Sequence, residues 1–206
     1  IQETGNKLAP SWTILDLEQE KQAIIPMKES SFRSRVVNHA ISSSQYNAES
    51  VLIGSLYGAM ASNEHLVGAG VFFEPNAFFE GVEDYAPYIG REGFQNRSIT
   101  NYPYSQFQDK PYYTEAKEKK KTIITDVYET VLDKKKVITI SRPVLFRDRF
   151  VGAILLDIDM NLFSAAEQKD SHYPSLETDI VDERGNFAFS KDTELIGTPL
   201  SEDKTE

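Results

Sequence analysis

The sequence predicts a mixed α+β fold: a long N-terminal helix packed on an antiparallel sheet, followed by the start of a second, smaller module. Three observations predict it. Val37, Ala40, Ile41, Ala48, Val51, Leu52, Leu56 and Ala59 recur at three- and four-residue steps, the repeat of one helix face. Three β-type runs then arrive in series, at 122–128, 137–143 and 150–158, joined by connections too short for parallel strands. A strand–turn–strand pattern restarts at Thr178 and runs out before it can build a core of its own.

Each element has a local reason. Trp12 to Ile25 carries Ile14, Leu15, Leu17 and Ile24 among charged residues, and Pro26 then breaks or kinks that first helix. The stripe from Phe32 to Ala59 reads as one long helix, serving either to cover a sheet or as a coiled-coil seam. Leu66 to Phe73 is a short apolar run containing Gly68 and Gly70, a buried strand in which backbone approaches closely. Pro75 and Asn76 end it. Residues 77–108, rich in Gly, Pro, Tyr and Phe, read as a long irregular excursion. Lys110 to Lys120 is a short helix whose basic end suits the negative end of its dipole. Asp133-Lys134-Lys135 and Arg147-Asp148-Arg149 are the turns of the meander. Asp159 is placed to cap a short helix over Met160 to Ala166, and a polar linker covers 167–176. Thr178–Val181 and Phe187–Phe189 then pair across Asp182-Glu183-Arg184-Gly185-Asn186.

Composition removes whole classes of function. The chain has 206 residues, 22 Lys and Arg against 32 Asp and Glu, and a net charge of −10. That balance is wrong for nucleic acid and for anionic lipid surfaces. With no cysteine there is no disulfide, thiolate nucleophile or zinc–thiolate site. His39, His65 and His172 match no metal or hydrolase spacing. There is no Gly-rich phosphate loop and no Gly-x-Ser-x-Gly elbow. Carboxylate pairs are too plentiful among so many acids to signal a glycosidase. No catalytic residue, metal ligand or cofactor site is expected. No apolar run reaches the roughly 18 residues of a membrane helix. Without an initiator Met or a basic leader before Ile1, the sequence reads as a fragment of a longer protein.

Four stretches, in this order, resemble the double Cache extracytoplasmic sensor domains of bacterial and archaeal chemoreceptors and sensor histidine kinases. They are Gly70-Val71-Phe72-Phe73-Glu74-Pro75-Asn76-Ala77-Phe78, Asp109-Lys110-Pro111-Tyr112-Tyr113, Val137-Ile138-Thr139-Ile140-Ser141-Arg142-Pro143-Val144, and Phe150-Val151-Gly152-Ala153-Ile154-Leu155-Leu156-Asp157-Ile158. Asp182 to Asn186 and Ile196-Gly197 are similar to the opening of that family's membrane-proximal module. The resemblance implies a PAS-like sheet backed by the long helix. It divides the chain into a helical region at 1–65, a membrane-distal module with the ligand pocket at 66–170, and an incomplete or reduced membrane-proximal module at 171–206. It also implies a non-catalytic input domain outside the cell, held to the membrane by segments outside this chain and dimerising through its N-terminal helix. Such a domain binds a small molecule and passes on a helix displacement.

The resemblance assigns the ligand site to Tyr112, Tyr113, Tyr128 and Asp157. Lys110 stands where amino-acid-binding members carry Arg, Thr130 where they carry a second Asp, and Ser105, beside Tyr104, where they carry a Tyr. The residues themselves agree in part. Val151, Ala153, Leu155 and Asp157 share one strand face, and a carboxylate ending an apolar face needs a cation or hydrogen bonds. A ligand ammonium would serve, so the expected ligand is cationic or zwitterionic, an amino acid or amine. Tyr rings give flat walls that attract cations. Lys110 offers a ligand carboxylate a point charge without the Arg fork. Each has a plainer reading: a strand-end Asp bonded to backbone, tyrosines packed in a core, a solvated Lys. On that reading the module serves dimerisation or a protein partner and binds no small molecule.

Overall fold

A computed structural model describes residues 32–130, 134–160, 178–182 and 184–200. The expected helices at 12–25 and 160–166 and the linker at 167–176 lie largely or wholly outside these residues. The core is one antiparallel sheet. Its strands are β3 (Leu66–Phe73), β4 (Pro87–Gly90), β5 (Thr100–Asn101), β6 (Ile123–Ile124), β7 (Tyr128–Glu129), β8 (Lys136–Phe146) and β9 (Arg149–Asp159). The order is β5-β4-β3-β9-β8-β6, with β7 also paired to β8. The central strand β3 takes β4 on one side and β9 on the other. It is buried along its whole length, which is why it reads as a continuous apolar run rather than an alternating one.

Alternation along the strands splits the interior into two cores. Leu66, Ala69, Val71, Phe73 and Ile89 pack with Ile53, Leu56 and Met60 of α1 (Ser43–Ser62). Of the two uses left open for the helix stripe, this is sheet packing. Phe72, Tyr88, Ala153 and Leu155 face the other way, into a second core with Phe107, Tyr113 and Ala116. Tyr113 and Ala116 are the buried positions of α3 (Pro111–Lys119), which begins with Pro111 in its first turn.

Three expectations are corrected. The long helix does not run from Phe32. A two-stranded hairpin, β1 (Phe32–Arg33) and β2 (Ala40–Ile41), precedes it, and Asn38 takes a left-handed conformation in the turn. The Ser34 hydroxyl accepts the Val36 and Val37 amides and holds that turn closed. Ser42 then starts α1 through a reciprocal capping box with Gln45, an arrangement that stabilises a helix start by about 1 kcal/mol.

The excursion at 77–108 is not structureless. It contains β4, α2 (Arg91–Asn96), β5 and a 3-10 turn at Tyr104–Gln106. The strand expected at 122–128 is two short pieces, because the register along β8 slips by one residue between them. That slip is a bulge.

The restart near the C-terminus forms β10 (Ile180–Val181) and β11 (Phe187–Phe189), antiparallel as expected. This pair leans on the main sheet. Lys136 donates to the Ile196 carbonyl at 2.8 Å, and Arg184 pairs with Asp126 at 2.6 Å.

Candidate ligand site around Asp157

Asp157 sits near the end of β9 opposite Thr139 of β8 and Gly68 of β3. It is 7% exposed. The Thr139 hydroxyl donates to Asp157 Oδ1 at 2.6 Å and the Tyr88 hydroxyl donates to Oδ2 at 2.8 Å. Tyr128 and Thr139 hydroxyls are 2.6 Å apart. Thr139 has one proton and gives it to the carboxylate, so Tyr128 is the donor to Thr139. The result is a directed chain from Tyr128 through Thr139 to Asp157. Such charge-assisted bonds compensate a carboxylate for its loss of water.

The rings around this carboxylate form a box. Tyr112 of α3 stacks on Tyr128 with centroids 6.2 Å apart. Tyr88 meets Tyr102 edge to face at 5.6 Å, and Phe72 touches Tyr88, Tyr102 and Tyr112. Burial pushes the Tyr88, Tyr112 and Tyr128 hydroxyls well above their ordinary range, and the Asp157 charge adds to the shift of each. All three are therefore neutral donors at physiological pH, and all three feel the same carboxylate.

Of the residues the sequence pointed to, the structure brings Asp157, Tyr112 and Tyr128 together. Tyr113 lies one position along α3 and turns to the other side. Its ring is fully buried against Phe107 and Phe150, and its hydroxyl donates to Glu74 at 2.9 Å. Glu74 also holds Lys117 at 2.9 Å and Tyr104 at 3.3 Å. Tyr113 thus anchors the helix that carries Tyr112. Lys110 is the exposed N-cap residue of α3, and its side chain makes no hydrogen bond or ion pair with the described residues. The Thr130 hydroxyl accepts the Lys135 amide at 3.0 Å, so it holds the β7–β8 turn. Ser105 is exposed in the 3-10 turn.

Sequence reasoning missed Tyr88 and Thr139. The signal for Tyr88 was present. A Cβ at Gly68 would lie 1.9 Å from the Tyr88 hydroxyl, and one at Gly70 would lie 3.0 Å from its ring. The two glycines clear a path across β3 so that a side chain from β4 can reach one on β9. Beside Tyr128 lies a cleft of about 230 Å³ whose far wall is Ile196 and Gly197.

Residues 53–165 match the family model of the methyl-accepting chemotaxis protein-like first PDC sensor domain. The chain belongs to this family of methyl-accepting chemotaxis protein-like PDC sensor domains. Among solved structures it is similar to methyl-accepting chemotaxis protein X, at 17% identity and a TM-score of 0.57, over 72% of this chain and 60% of that one. It is also similar to the sensory domain of the Campylobacter jejuni chemoreceptor Tlp3, at 14% identity and a TM-score of 0.56, over 78% of this chain and 61% of that one. A third is the extracellular domain of mmHK1S-Z2, assigned as a histidine kinase, at 19% identity and a TM-score of 0.55, over 75% of this chain and 61% of that one. At these identities the likeness is one of fold. The chain spans about three fifths of the length of these domains. A comparison with curated proteins gives no match.

Proposed function

We propose that this chain is the extracytoplasmic input domain of a transmembrane receptor and that it binds a small amino acid or amine at Asp157. The observation that carries this is a buried carboxylate, set among tyrosines, in a domain of a sensor family. Its donors Tyr88 and Thr139 are neutral hydroxyls, and a carboxylate oxygen accepts more than one hydrogen bond. A ligand ammonium joins them as a charged donor, with the faces of Tyr112 and Tyr128 attracting the same cation. Tyr113 holds α3 in place behind Tyr112. Lys110, at the head of α3, meets the carboxylate of a zwitterion. One solved relative, the Tlp3 sensory domain with isoleucine bound, has a TM-score of 0.51 to this chain, and the reading follows the same ligand class. Occupancy moves α3 and β9, and a dimer formed through the N-terminal part of the chain carries that displacement to the membrane.

Calorimetry against amino acids, amines and carboxylates tests the reading. Loss of a hydrogen-bonded charge from such a site costs about 2–5 kcal/mol of binding. Asp157→Ala is expected to weaken an ammonium ligand by roughly 30-fold or more. Lys110→Ala is expected to weaken amino acids and leave simple amines unchanged. Unaltered affinity in Asp157→Ala would sink the assignment.

A second reading has its own observation. The hydroxyls of Tyr88 and Thr139 already satisfy Asp157 from within the fold, as they would in a module used for dimerisation or a protein partner. Failure of every amine and amino acid to raise the melting temperature would favour it.

A further inference from the structure

On the opposite face of the sheet from Asp157, a cleft of about 780 Å³ opens between α1 and the α2 segment. Its walls are Ile53 and Tyr57 from α1, Phe94 from α2 and Ile99 from the connection between α2 and β5. Tyr57 and Phe94 pack on each other as a tilted pair with centroids 6.1 Å apart. Two guanidinium groups line it, Arg35 and Arg97, and no carboxylate does among the described residues. In a chain with 32 acidic residues and a net charge of −10, that is a local reversal of sign.

The two cations differ from their neighbour Arg91, which spends its guanidinium on the carbonyls of Met60, Asn63, Glu64 and Leu66 at the end of α1. Arg35 makes one long hydrogen bond to the Ser50 hydroxyl, at 3.3 Å, and lies over the Tyr46 ring at 5.9 Å. The Arg97 side chain makes no hydrogen bond or ion pair with the described residues. Arg97 also sits in the left-handed conformation that ends α2, with φ 54°. Glycine is the ordinary residue there, and a residue with a Cβ bears a conformational cost. An arginine occupies a left-handed position that favours glycine, and it borders the cleft.

We propose that this cleft is a second ligand site, for a small amphipathic carboxylate with an aromatic or branched apolar body. The apolar part lies against the Tyr57–Phe94 pair and beside Ile53, as in small-molecule sites generally. The carboxylate takes charge-assisted hydrogen bonds from Arg97 and Arg35. Its charge preference is the reverse of that at Asp157, and it does not depend on that site.

Calorimetry with phenylacetate on the full 206-residue chain is the test, with phenylacetamide as the neutral counterpart. Phenylacetate is expected to bind, more weakly at high salt, and phenylacetamide at least tenfold more weakly. Arg97→Gly is expected to lose at least tenfold in phenylacetate affinity while its melting temperature holds or rises, because glycine relieves the left-handed position. Arg97→Gln is expected to lose affinity without that rise. Asp157→Asn is expected to leave phenylacetate binding unchanged. Absence of phenylacetate binding at millimolar concentration, equal affinity for the amide, or full affinity in both Arg97 variants would overturn the proposal. So would loss of binding in Asp157→Asn, which would place the ligand on the other face of the sheet.

Discussion

Gly68 decides whether Tyr88 can reach Asp157. The two side chains belong to β4 and β9, with β3 lying between, and their hydrogen bond at 2.8 Å passes over the backbone of Gly68. Any side chain at 68 occupies the position of the Tyr88 hydroxyl. Gly68→Ala is therefore expected to displace Tyr88 and leave one buried carboxylate oxygen without that donor, at roughly 1–3 kcal/mol of stability. Tyr88→Phe removes the same bond without the clash. Because both variants break one interaction, the double variant should lose much less than the sum of the two. Urea denaturation of the four proteins checks this. Wild-type stability in Gly68→Ala, or simple additivity, would show that the path over Gly68 does not matter. The same argument locates what sequence could and could not reveal about the site. Gly68-x-Gly70 in a buried strand announced a close approach, but the partner was a residue in a segment read as irregular. The carboxylate was legible because an acid ended an apolar face.

Elements held by contacts close in sequence were the ones legible in it. The β8–β9 hairpin is the plainest case. Phe146 pairs with Arg149, leaving Arg147 and Asp148 as a two-residue turn with φ of 48° and 60°. Both central residues are left-handed, the geometry that matches strand twist and for which Asn-Gly is the preferred pair. Replacing Arg147 with Asn and Asp148 with Gly is expected to raise stability by about 0.5–1 kcal/mol, and a thermal melt reads it; a lower melting temperature would mean that one of these side chains stabilises the native hairpin. Other elements were illegible for a physical reason. β4 and β5 are short strands whose hydrogen bonds come from β3 and from each other, many residues away in sequence, so no local period marks them. The start of α1 was misread because Val37, Ala40 and Ile41 fit the helical period by accident. What ends the hairpin and begins the helix is side-chain chemistry at Ser34, Asn38 and Ser42. The split of the 122–128 strand is a bulge, and a bulge leaves no trace in hydrophobic alternation.

Across the whole molecule, buried tyrosine hydroxyls tie both cores together. On the α1 face, Tyr85 donates at 3.0 Å to Glu49, which also accepts the Ser34 hydroxyl and the Arg35 amide. Glu49 is fully buried, so a single carboxylate joins the first hairpin, α1 and the segment leading to β4. On the other face, Tyr88 and Tyr128 converge on Asp157 and Tyr113 holds Glu74. Burial raises Tyr85, Tyr88, Tyr112, Tyr113 and Tyr128 far above the ordinary tyrosine range, and neighbouring carboxylates raise them further. The sign of the consequence follows from which state holds the protons. Below about pH 10, the unperturbed value, folded and unfolded chains are both protonated and the contribution to stability is complete. Above it the unfolded chain releases these protons while the native chain keeps them, so stability falls as pH rises. Each such tyrosine contributes about 1.4 kcal/mol per pH unit, and several together exceed the margin of an ordinary domain within one or two units. Urea midpoints are expected to hold steady up to about pH 10 and then drop steeply. Tyrosinate absorbance from the buried residues should appear in one cooperative step that coincides with loss of the fold. A native chain that ionised all its tyrosines gradually near pH 10 would mean that water reaches these hydroxyls, and that neither the Asp157 box nor the Glu49 junction is closed as the structure has it.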